Sequence, residues 1–171
     1  VSLFGEVNAS VGSAYNHTLL LKTDGSLWAA GRGYQGQLGI SSVNSQTSFV
    51  QVLEEGVKSI SSLGENSSLF IKSDDTLWGM GLNSFGELGD GTTTQRNLPI
   101  QIWSSPVAKA AKSWHSLFLE ANGTLRGMGN NGNGQLGDGT TANRSNPVQV
   151  TNADGTGLGG VAAISAGSSH T

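Results

Sequence analysis

Gly31-Arg32-Gly33-Tyr34-Gln35-Gly36 spells the G-x-G-x-x-G string of dinucleotide-binding loops. That chemistry needs a helix directly after the glycines, whose N-terminal N–H groups hold the pyrophosphate. Here Leu38-Gly39 and a polar Ser-rich stretch follow, with no helical pattern. In a second copy of the motif the matching places hold Gly81, Asn83 and Gly86, which break the string. His17, His115 and His170 are the next candidates, as bases or metal ligands. They occupy one repeated position, where the second copy has Ser67, and they lack the i, i+4 spacing of a zinc pair. No serine sits in a Gly-x-Ser-x-Gly elbow. Glu54-Glu55 are neighbours, which an extended strand points to opposite faces, so they make a poor acid/base pair. There is no cysteine to supply a thiolate. The expectation is a non-catalytic protein with no cofactor and no metal.

A different constellation repeats with meaning. Asp90 and Arg96 in one copy match Asp138 and Arg144 in the next. A third copy holds Ile40 and Gln46 at the same places. The charges come and go together, which predicts two structural ion pairs folding a long loop on itself. Losing one partner alone leaves an unpaired charge, which is costly when partly buried. The Asp and Thr oxygens could instead take a cation, but the Asp-x-Asp ladder of calcium loops is absent.

These residues ride on a period near ~50 residues, a repeat architecture. Leu27-Trp28, Leu77-Trp78 and Leu125-Arg126 correspond, as do Gly36-Gln37-Leu38-Gly39, Gly86-Glu87-Leu88-Gly89 and Gly134-Gln135-Leu136-Gly137. Val57 to Ser62, Leu69 to Ser73, Thr76 to Gly81 and Pro99 to Ile102 read as short strands, with no helical periodicity. The last of these aligns with Phe49 to Val52 and Pro147 to Val150, with proline at a strand start. Asp24-Gly25, Asp74-Asp75 and Asn122-Gly123 between apolar runs predict tight type I′ hairpins. Four strands per period is the content of one β-propeller blade. The fold class is therefore all-β, with repeats over residues 1–48, 49–98 and 99–146 and the opening of another blade in 147–171.

The run from His17 through Leu-Leu-Leu-Lys-Thr-Asp-Gly-Ser-Leu-Trp to Gly31, then Gly36-Gln-Leu-Gly, resembles the regulator of chromosome condensation repeat family. Leu77-Trp78-Gly79 with Gly86-Glu-Leu-Gly-Asp-Gly-Thr-Thr-Thr-Gln-Arg96 is similar to its bacterial members. The resemblance implies a β-propeller, commonly of seven blades. It also implies a function among binding modules, one of which is a nucleotide exchange factor for a small nuclear GTPase. Three blades cannot close a ring and would leave open edges. The expectation is a piece of a larger propeller, or an assembly joined edge to edge.

Composition narrows the partner. Only 12% of residues are charged and the net charge is −3, which does not suit nucleic acid. No apolar run reaches the ~18–20 residues of a membrane span. Abundant Ser, Thr, Asn and Gly suggest an extracellular or cell-surface setting. The expected partner is another protein or a surface polymer, with homo-oligomer formation and an exchange-factor role as alternatives. Tyr34, Phe85, Trp103 and Trp114 do not repeat across the copies, which makes them the candidate interface.

Overall fold

Short apolar runs broken by Asp-Gly and Gly-rich turns make twelve strands and no helix among the described residues. A computed structural model describes residues 9–61, 64–167 and 170. Strands β1 (Ser10–Ser13), β2 (His17–Leu21), β3 (Leu27–Gly31) and β4 (Gln46–Leu53) form the first sheet. The second holds β5 (Val57–Ile60), β6 (Ser67–Lys72), β7 (Leu77–Gly81) and β8 (Arg96–Trp103). The third holds β9 (Val107–Lys112), β10 (His115–Glu120), β11 (Leu125–Gly129) and β12 (Arg144–Gln149). Each is an antiparallel meander in chain order, the build of a propeller blade.

The core lies between sheets, and strand parity assigns each side chain to a seam. Successive residues of a strand face opposite ways. In β6, Phe70 enters the first seam with Leu19, Leu21 and Met80. Its neighbours Leu69 and Ile71 enter the second seam with Phe118 and Met128. β10 repeats this: Phe118 faces back, while Leu117 and Leu119 face a third cluster with Leu125 and Val150. Leu158, Val161 and Ile164 of the C-terminal segment cover that cluster. β6 and β10 are thus buried almost throughout, while β2 alternates buried and half-buried. The corner that precedes β2, Ala14 N–H to the His17 carbonyl at 2.9 Å, recurs as Gly167 N–H to the His170 carbonyl at 2.9 Å. Ser62, at the end of an expected strand, and Ser169 and Thr171, in the opening of the further blade, lie outside the described residues.

Two sequence expectations need correction. The hairpins are not type I′, which requires positive φ at both central residues. Only the second residue is left-handed: Gly25 at 81°, Asp75 at 65° and Gly123 at 88°. Gly25 N–H closes on the Lys22 carbonyl at 3.0 Å, and Asp24 Oδ1 accepts the Ser26 N–H at 2.8 Å. That side-chain bond folds Asp24 into an Asx turn, so the left-handed residue follows it as a bulge. The prolines also do not start their strands. Pro99 lies inside β8 and Pro147 inside β12. Both are edge strands of their sheets, with a register shift opposite between Gly79 and Gly81 and between Gly127 and Gly129, where a missing donor is tolerated.

Candidate functional site

The long loops 32–45, 82–95 and 130–143 leave the ends of β3, β7 and β11, and the first two reach the next sheet. Each starts at a left-handed glycine: Gly31, Gly81 or Gly129, with φ of 104°, 110° and 101°. The next residue's N–H bonds the turn before the blade's second strand, as in Arg32 to the Asn16 carbonyl and Leu82 to the Asn66 carbonyl, both at 2.8 Å. Further on, Ser41 N–H bonds the Asn97 carbonyl at 2.9 Å and Gly91 N–H bonds the Ser145 carbonyl at 2.8 Å. In the first two copies the Gly-x-x-Gly motif is therefore a blade-to-blade contact. A Cβ on Gly36 would come closer than 3.0 Å to Arg96 and Asn97, and one on Gly39 would meet the Met80 sulfur. Of the apparent dinucleotide string Gly36 serves this packing, while Gly31 is tight against Asn16 and His17 of its own blade. Gly33 likewise has no room for a Cβ beside the Asn44 carbonyl.

Asp90 and Arg96 do meet: Arg96 Nε donates to Asp90 Oδ2 at 2.7 Å. Arg144 Nε reaches Asp138 Oδ2 at 2.6 Å. The hub of each loop is a third residue that sequence reasoning missed. Asn83 is fully buried. Its Nδ2 donates to Asp90 Oδ1 at 3.0 Å and to the Thr92 and Thr94 carbonyls at 3.1 and 3.3 Å. Its Oδ1 accepts the Leu88 N–H at 2.8 Å. Asn131 does the same with Asp138, Thr140, Ala142 and Leu136. Burial pushes the Asp90 carboxyl up, but hydrogen bonds from Thr92, Arg96 and Asn83 outweigh it and hold the group below the usual range. Asp138 is held low in the same way. These donors occupy the oxygens that a bound cation would need. The linked substitution is thus a triple, Asn-Asp-Arg, which the first copy replaces with Gly33, Ile40 and Gln46. Reading the copies by column would have found it.

Asn83→Ala should cost about 2–3 kcal/mol, because it strands several buried partners at once. Urea unfolding measures it. A loss below ~0.5 kcal/mol, the level of an ordinary surface change, would show that the loop is held by something else.

The repeated histidine position is a seam element. His17 Nε2 lies 2.8 Å from Ser68 Oγ of the second sheet, and that hydroxyl donates to the Gln37 carbonyl at 3.1 Å. Burial drives His17 down to about 4, with the Glu65 backbone carbonyl opposing in part. His115 is also held at about 4, by burial first and then by Lys112 and His170. Glu87 stands where the other copies have Gln37 and Gln135. Lys112 of the next sheet is buried, and its pKa falls to about 8 through burial while Glu87 opposes the fall. Among the described residues no group of three His, Cys, Asp or Glu could hold a metal ion.

The four candidate interface aromatics do not form one patch. Phe85 and Trp114 meet edge to face at 6.0 Å across the second seam. Trp103 sits at the opposite end of the strands, opposite Leu77, with Phe118 at 5.4 Å and the Arg126 guanidinium over its ring at 4.6 Å. It is a seam residue, as is its column partner Leu53. Tyr34 is 60% exposed, with the Arg32 guanidinium 5.3 Å from its ring centre. Trp28 and Trp78 are half-buried, and Lys22 and Lys72 lie over them at 3.8 and 4.1 Å. In the third copy Glu120 and Arg126 replace this Lys–Trp couple and form an ion pair. Gln51, Gln101 and Gln149 are exposed on the outer strands. Glu54 and Glu55 lie in an exposed bend beyond β4 rather than in a strand.

The sequence matches a regulator of chromosome condensation (RCC1) repeat over residues 74–119 and 122–171, and a second such repeat description over residues 9–37. Solved structures share the fold at low identity. Human WBSCR16 superposes with a TM-score of 0.72 at 22% identity, covering 88% of this chain and 39% of that one. Prp20p from Saccharomyces cerevisiae gives 0.75 at 22% identity, covering 85% and 38%. Yeast RCC1 (Prp20) bound to Kap60 gives 0.73 at 22% identity, covering 85% and 37%. The chain spans less than two-fifths of these structures' length. No curated protein matches the sequence.

Proposed function

The chain belongs to the regulator of chromosome condensation repeat family, and from that premise we propose that it is a non-catalytic module that binds another protein. One observation carries the reading. The repeating polar groups of the loops are spent on the scaffold itself, as in the Asn83–Asp90–Arg96 hub, while the non-repeating Arg32 and Tyr34 stand exposed. Exposed Tyr and Arg on a rigid frame are the chemistry of protein interfaces. The structural relatives support the same class: Prp20p was studied with its binding to Gsp1p and histones, and yeast RCC1 was solved with Kap60. The shifted titrating groups each have a scaffold cause, which favours binding over catalysis. A surface poor in charge and rich in Ser, Thr and Asn favours a setting outside the cell or on its surface.

Selection of a random peptide display library on the immobilised chain tests the binding reading. A protein-binding module should enrich a defined consensus over bare support. Failure to enrich any sequence, with a known binding domain succeeding in parallel, removes it.

A further inference from the structure

Resting on that protein-binding reading, we propose that Arg32, stacked on Tyr34, is an anchor site for an Asp or Glu side chain of the partner protein. The chain has four arginines, and three of them hold carboxylates of their own molecule: Arg96 with Asp90, Arg126 with Glu120 and Arg144 with Asp138. Arg32 has no carboxylate partner among the described residues. It is exposed, beside an exposed Tyr34 ring 5.3 Å away. Its backbone N–H is tied to the Asn16 carbonyl at 2.8 Å, which fixes the root of the side chain on the rigid loop base. Stacking on the ring leaves the edge of the guanidinium fork open to solvent, where it matches a carboxylate through two parallel hydrogen bonds. Tyr34 supplies an apolar face and a hydroxyl next to it. Neither residue is part of the repeat: the columns read Arg32, Leu82, Asn130 and Tyr34, Ser84, Gly132. The contacts the three loops share, such as the bond from the first loop residue's N–H to the turn before the blade's second strand, do not involve either side chain. The net charge of −3 repels acidic peptides in general, so acidic selectivity here needs a local site.

The same display selection, run on wild type, Arg32→Gln and a charge-matched control Lys109→Gln, decides it. Lys109 is also exposed, but its Nζ donates to the Ala162 carbonyl at 2.7 Å. The expected result is a consensus with Asp or Glu at one fixed place. Arg32→Gln should weaken the selected peptide about tenfold or more, the range for a charged hydrogen-bonded pair. Replacing the acid by its amide should do the same, with no further loss in Arg32→Gln, while Lys109→Gln changes nothing. A consensus without an acid, or an acidic one indifferent to Arg32→Gln, overturns the anchor and leaves the binding reading standing. No consensus at all overturns both.

Discussion

Gly86→Ala should cost about 2–5 kcal/mol and loosen the second and third sheets from each other. Two effects add. Gly86 has φ of 79°, a left-handed conformation that costs an L side chain about 1–2 kcal/mol. The new methyl would also sit 2.9 Å from Ser145 N and closer still to its Cα. Those are backbone atoms of β12, so relief requires moving a strand, and overpacking of this kind costs about 1–3 kcal/mol. Gly123→Ala is the control. Gly123 has φ of 88°, but nothing lies within 4 Å of the added carbon, so only the conformational penalty of about 1–2 kcal/mol remains. Denaturant midpoints give both values. Equal losses would mean that the Gly-x-x-Gly loops are ordinary turns rather than the joints between blades. Gly36→Ala should resemble Gly86→Ala, since its neighbours Arg96 and Asn97 belong to the start of β8.

Much of this was legible in the sequence. Period, hairpin positions and strand content follow from recurring Gly, Leu-Trp and Asp-Gly, because repeats need the same turns and the same buried faces. The Asp90–Arg96 pairing followed from two charges substituting together. What hid was whatever one column could not show. Asn83 reads as an ordinary loop residue until it is set against Gly33 and Asn131 in step with Ile40, Asp90 and Asp138. Trp103, judged alone, is an aromatic beside a turn. Its column partner Leu53 already points to a seam, and the Trp is larger because Phe118 and Arg126 meet it there. The hairpin type hid for another reason. Asp-Gly satisfies two turn families, and the Asp24 side-chain bond to Ser26 decides between them. Arg32 hides inside a glycine string whose spacing mimics a dinucleotide loop.

Acid should destabilise the fold between pH 6.5 and about 4, before the carboxylates protonate. His17 and His115 have folded values of about 4 against 6.5 for the exposed side chain. The folded pKa is the lower one, so the unfolded chain takes up the proton first as pH falls. The histidine contribution is therefore complete above 6.5, drops through the window, and levels off below about 4. Each histidine contributes at most about 3–4 kcal/mol to that drop, at ~1.4 kcal/mol per pKa unit. Two together approach the whole stability of a small domain, about 5–15 kcal/mol. The aspartates cannot account for it. Asp24, Asp74, Asp90, Asp138 and Asp154 are all held below 3.8, so their loss begins at more acid pH. Urea unfolding at pH 7.5, 6, 5 and 4 reads the slope. His17→Gln should cost stability at pH 7.5, through the lost bond to Ser68, yet roughly halve the pH dependence within the window. A profile that is flat from pH 7.5 to 4.5, or one that the substitution leaves unchanged, would mean that the buried histidines admit protons and water. The seams between blades would then be wetter than a sealed core allows.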